Sequence, residues 1–130
     1  MKPTKQMIEN EPAGPRIDAW FAELIGGWKE KLWMHDDECS ESNLPPVKMW
    51  WDTKNDMPKI EVWRFNPSSN ISHAMAGVEI DENNNFHLCW NGKQWICQIW
   101  NHKNWVTGND KTKELAVTKA RLLWAIEKDK

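Results

Sequence analysis

The chain predicts an α+β fold, an antiparallel sheet of about four to five strands packed with helices. Three observations carry that expectation. Apolar residues recur at helical spacing near both ends, short runs of alternating character lie between them, and an Asn-Gly pair joins two aromatic-rich runs. Strand runs linked by short turns favour antiparallel pairing with helices laid on the sheet. At 130 residues the chain suits one domain, long enough to bury about two-thirds of its unfolded surface without staples.

Residues 1 to 15 carry Pro3, Pro12, Gly14 and Pro15 among polar neighbours. They read as a flexible leader, leaving residues 16 to 130 as a single α+β domain. Ile17, Trp20, Phe21, Leu24 and Ile25 form one apolar stripe at helical period, and Gly26-Gly27 supply the stop. Trp28 to Met34 and Val47 to Trp51 read as strands, with an acidic loop from His35 to Pro46 between them. Ile60 to Phe65 alternates as a third strand. Asn66 to Asn70 is turn chemistry, and Ile71, Ala74, Met75 and Val78 stripe a second helix.

Phe86 to Trp90 and Lys93 to Trp100 flank Asn91-Gly92, the favoured pair for a two-residue type I′ turn. That turn sets Trp90 against Lys93, Leu88 against Trp95 and Phe86 against Cys97. Parity puts Phe86, Leu88, Trp90, Lys93, Trp95, Cys97 and Ile99 on one face. His87, Cys89, Gln94, Ile96, Gln98 and Trp100 share the other. The last helix spans about Thr112 to Glu127, entered through Gly108-Asn109-Asp110, with Leu115, Leu122, Leu123 and Ile126 as its stripe. Lys119 falls inside that stripe. Two readings stand: a stem on the core with its ammonium at the rim, or a cation aimed into an apolar cleft to meet phosphate or carboxylate. Arg121 points away with Val117 and Trp124, suggesting a second contact surface. No internal repeat is apparent.

Composition excludes several classes. A net charge of −2 argues against a duplex-DNA binder with a broad basic face. No apolar run is long enough to span a membrane, and no signal peptide is visible. Three cysteines without an export signal read as reduced thiols. The spacing of His87, Cys89, Cys97 and His102 has metal-ligand chemistry, but parity sends Cys97 to the far face, so no zinc site is expected. His87 with Cys89 lacks a group to orient the imidazole, and no glycine-rich phosphate loop occurs. The chain is expected not to be an enzyme and to need no cofactor.

The unusual number is 11 tryptophans, with no tyrosine. Indole is a demanding core filler because its N–H wants a partner, whereas it is favoured in stacking platforms and interfaces. Trp63-Arg64, Trp90-Asn91-Gly92-Lys93-Gln94-Trp95 and Trp100-Asn101-His102-Lys103-Asn104-Trp105 interleave indoles with amides and cations. That suits a base stacked on indole with its phosphate held beside it, or a sugar ring.

Three stretches resemble the phage ABA sandwich domain family. They are Ile17-Asp18-Ala19-Trp20-Phe21-Ala22-Glu23 running into Gly26-Gly27-Trp28, Phe65 to Ala74 continuing through Val78-Glu79, and Leu115-Ala116-Val117-Thr118-Lys119-Ala120-Arg121-Leu122. The likeness covers about residues 16 to 127. It implies a small phage-encoded α+β protein similar to the first group of Thoeris anti-defence proteins. Those are oligomeric sponges that hold cyclic ADP-ribose signals, and some hold cyclic oligonucleotides, without cleaving them. By motif position, the tryptophan after the glycine pair is Trp28. The basic residue of the last helix is Lys119, where the family has arginine, and the family's central tryptophan is Met75 here.

The expectation from this resemblance is a sponge in the host bacterial cytoplasm, a homodimer or higher homo-oligomer that sequesters a cyclic ADP-ribose-type or cyclic-nucleotide signal. Trp28 would stack on the ring and Lys119 would neutralise phosphate. Arg121, Lys93, Trp90 and Trp105 complete the candidate site, with no metal. Two alternatives stand beside it: a protein that inhibits a host defence protein through tryptophan-rich surfaces, and a carbohydrate-binding module.

Overall fold

The computed structural model describes residues 2–33, 46–76, 85–101 and 103–128. Its elements run α1 (Lys5–Asn10), α2 (Pro15–Leu24), β1 (Trp28–Trp33), β2 (Val47–Asp52), β3 (Met57–Glu61), a 3-10 turn (Val62–Arg64) and α3 (Ile71–Ala74). β4 (Phe86–Trp90), β5 (Trp95–Trp100), β6 (Trp105–Asp110) and α4 (Lys113–Lys128) follow. The α+β class holds, but the strands form two three-stranded antiparallel sheets, ordered β1-β2-β3 and β4-β5-β6, rather than one sheet of four to five. α2 packs on β1 and on α4, and α4 packs on β5 and β6. The path from one sheet to the other therefore runs through two helices.

α4 is the centre of the molecule. Every residue from Leu115 to Ala120 is buried, a burial all round that marks a helix enclosed by its neighbours. Leu115, Leu122 and Leu123 join a core with Ile8, Ile17, Phe21 and Trp50. Ala116, Val117 and Ala120 join a second with Ala74 and Cys97. Alanines at 116 and 120 let β6 approach closely: a Cβ on Gly108 would stand 2.6 Å from the Ala116 carbonyl oxygen. Gly108, read above as part of a turn into the last helix, lies in β6 because of this contact. The strand itself was not anticipated.

The leader is part of the fold. Thr4 caps α1, its hydroxyl accepting from the Met7 amide, and Ile8 is fully buried in the core. A single apolar face across six residues leaves too short a period for the sequence to reveal. The expected strand from Ile60 ends at Glu61, where the chain tightens into the 3-10 turn. α3 stops after Ala74 with Met75 as its C-cap, short of the expected extension, whose residues 77 and 78 fall outside the described residues, as do residues 35–45 of the loop read from His35 to Pro46.

The hairpin forms, in a register shifted by two. Trp90 faces Trp95, Leu88 faces Cys97 and Phe86 faces Ile99. Asn91 is the cause. Its side-chain oxygen accepts from the amides of Lys93 and Gln94, and its own amide donates to the Gln94 carbonyl. The loop therefore spans four residues instead of two. A shift of two preserves parity, so both predicted faces survive.

Candidate functional site

Three of the predicted site residues make contacts within the fold, Lys119 buried and Arg121 and Trp28 half-buried. The Lys119 ammonium is neither at the rim nor in a cleft. It donates to the Asp110 carboxylate at 2.8 Å and to the Glu9 backbone carbonyl at 2.9 Å, with its side chain 5% exposed. This pair ties α4 to β6 and α1. Arg121, expected at a second contact surface, turns inward. Its Nη1 donates to the carbonyls of Ala74 and Ala76 at 2.8 and 2.6 Å, and its guanidinium lies 5.0 Å from the Phe21 ring centroid. Burial pushes its pKa below the ordinary arginine value, partly countered by nearby Cys97. Trp28 is half-buried, edge-on to Phe65 at 5.2 Å.

The three motif stretches thus meet inside the protein. Asp18 accepts the Ser68 amide at 2.8 Å, and Ser68 Oγ accepts the Gly14 amide at 3.1 Å. Arg121 caps the end of α3 and covers Phe21. Desolvation raises the Asp18 carboxyl above its ordinary value, against the lowering effect of the Ser68 hydrogen bonds.

Trp90, Lys93 and Trp105 are on the surface, though not together. Trp90 and Lys93 belong to the β4–β5 turn and Trp105 to the β5–β6 turn, at opposite ends of a strand of six residues, about 17 Å away at ~3.4 Å per residue. The two turns are the same device built twice. Asn101 repeats the role of Asn91, accepting from the amides of Lys103 and Asn104 while its amide donates to the Asn104 carbonyl. Trp90 and Trp95 lie 5.7 Å apart at 58°, and Trp100 and Trp105 lie 5.4 Å apart at 58°. This short internal repeat, Trp-Asn-x-Lys-x-Trp, corrects the reading above that the sequence holds none, and it places β6 after the second turn.

A cleft of about 680 Å³ opens between the start of α2, β2 and the 3-10 turn, lined by Gly14, Pro15, Asp18, Lys48, Trp50, Trp63 and Phe65 among others. Pockets of this size take small molecules. Trp63 is 76% exposed, with the Arg64 guanidinium 5.8 Å from its ring. Lys48 is paired with Glu30 at 3.5 Å, an exposed and therefore weak contact that another anion could replace. Trp50 is buried, and its indole N–H has no hydrogen-bond partner. Of these residues only the pair Trp63-Arg64 carried a signal in the sequence. Lys48 and Trp50 reach the cleft from β2, where Trp50 shares the core with Ile17 and Phe21 of α2.

Among the described residues no three of His, Cys, Asp and Glu gather to hold a metal. Cys97 is buried, its thiol pushed up to about 12 by desolvation, while Cys89 is exposed on the opposite face. His102 lies outside the described residues. No helix described is long and apolar enough to cross a membrane.

The model of the phage ABA sandwich domain matches residues 19–122. The chain belongs to the phage ABA sandwich domain family. No curated protein and no solved structure matches it. The matched span of this phage ABA sandwich domain begins inside α2 and ends in α4, so it holds both sheets and the Arg121 contacts that join the motif stretches.

Proposed function

We propose that this phage protein is an anti-defence sponge that captures a nucleotide-derived signal, of cyclic ADP-ribose or cyclic-oligonucleotide type, and holds it without cleavage. The observation that carries this reading is the cleft beside Trp63. An exposed indole face offers stacking to a planar ring, Lys48 lines the same cleft, and the Arg64 guanidinium lies 5.8 Å from the Trp63 ring, so that both offer a cation to phosphate. Family membership supports the phage origin of the protein, and the cleft supports the small ligand.

Relative to the expected site, the ligand moves from Lys119 to Lys48 and from Trp28 to Trp63, because the first pair is engaged inside the fold. Native mass spectrometry of protein from cells with an activated cyclic-nucleotide defence tests this. A retained ligand of unaltered mass on a homo-oligomer is expected, with Trp63→Ala and Lys48→Ala each weakening capture roughly tenfold or more. Wild-type binding by both variants would move the site elsewhere, and a ligand released as a cleaved product would end the sponge reading.

A further inference from the structure

We propose that the open face of the β4-β5-β6 sheet is a platform for single-stranded nucleic acid. One face of this sheet lies on α4, through Cys97, Val106 and Gly108. Strand parity puts His87, Gln98, Trp100, Trp105, Thr107 and Asn109 on the other. None of the described helices packs on that side, and His87, Thr107 and Asn109 are exposed.

The chemistry of this face is selective. Trp100 and Trp105 are 36% and 42% exposed, and the His87 ring sits edge-on to Trp105 at 5.1 Å. Flat rings on the open side of a helix-backed sheet suit splayed, unpaired bases. Gln98, Thr107 and Asn109 bring neutral donors and acceptors that can reach base edges. No strand residue of this face is Asp or Glu, although the whole chain is net acidic. Exposed lysines close both ends, Lys103 in the turn beside Trp105 and Lys111 directly after β6. Along the described strands a phosphate backbone would therefore meet these cations and no carboxylate, with Glu127 of α4 at the Asn101 turn held by the Asn101 side chain at 3.2 Å. A duplex hides its base faces and gains nothing from indoles. The cleft lies on the other sheet, so this inference stands apart from signal capture.

Titration of the full chain with a labelled ten-residue oligothymidylate, and with a duplex of equal length, tests the platform. Single-strand binding is expected to quench tryptophan emission and to exceed duplex binding at least tenfold. Trp105→Ala should weaken it roughly tenfold or more, and Trp105→Phe much less. Lys103→Ala should lower the slope of log affinity against log salt by about 0.7. Trp63→Ala should bind the oligomer like wild type. The proposal is overturned if the duplex binds equally, or if Trp63→Ala loses as much as Trp105→Ala. It is also overturned if Trp105→Ala, folded by circular dichroism, binds normally, or if Lys103→Ala leaves the salt slope unchanged. A wild-type dimer that Trp105→Ala dissociates, with no oligomer bound, would assign the face to a second copy instead.

Discussion

Lys119 and Lys93 are the same side chain in two settings, and their contrast organises the molecule. Lys119 sits on α4 with its ammonium closed between Asp110 and the Glu9 carbonyl. Lys93 sits in a turn fixed by Asn91, with its side chain in water. Sequence reasoning gave both a ligand role, Lys119 from its place in the apolar stripe and its motif position, Lys93 from its place between Trp90 and Trp95. The difference teaches that a cation inside an apolar stripe has first call on the nearest buried anion. A cation at the surface, such as Lys93, keeps its charge in water.

The contrast can be broken most sharply at Lys119. Replacing it by alanine removes one partner of a buried pair and strands the other, which costs about 3–5 kcal/mol. Urea denaturation of Lys119→Ala should show that loss, whereas Lys93→Ala should stay within about 0.5 kcal/mol of wild type. Equal stabilities would mean that the Asp110 contact contributes nothing. Gly108→Ala comes next. Its new methyl meets backbone atoms of Ala116 and Ala120, so α4 and β6 must separate, at about 1–3 kcal/mol in the same assay. Arg121→Met should cost a similar or smaller amount, about 1–3 kcal/mol, by stripping the Ala74 and Ala76 carbonyls of their donor. Ligand capture by the folded variant should be unchanged.

Asp18 gives a subtler effect, with a sign. Burial raises its carboxyl in the folded state above the ordinary 3.8, so the folded protein holds a proton that the unfolded chain has released. Its contribution to stability is greatest below that value and is lost as pH rises through the raised folded value. Asp18→Asn keeps an acceptor for the Ser68 amide and carries no charge. Thermal melts from pH 3.5 upward should show this part of the decline removed. The smallest effect on stability belongs to Trp63→Ala, within about 0.5 kcal/mol, since the ring is mostly in water.

What the sequence disclosed follows the range of each signal. The stripe from Ile17 to Ile25 and the apolar positions of α4 repeat over several turns, and both helices formed as read. Strand faces were legible because parity tolerates a slip of two, while register was not, because Asn91 chose a longer loop than Asn-Gly suggests. β6 was hidden by Gly108, a residue with the look of a turn, whose strand setting depends on alanines in α4. The cleft was illegible for a different reason. Its walls come from α2, β2 and the 3-10 turn, and no local pattern records that these segments converge. The three motif stretches pointed to the right family, and their Asp18, Lys119 and Arg121 fasten the elements to one another.

The latch on α1 has a practical corollary. Position 9 supplies it with a main-chain oxygen, not with its carboxylate. Alanine scanning would pass over that residue without a trace. Trimming the first eleven residues would uncover a vacant hydrophobic socket where Ile8 had been and a charge deprived of one of its two acceptors. The importance of this main-chain contact would register only in truncated protein, as aggregation or heightened protease sensitivity.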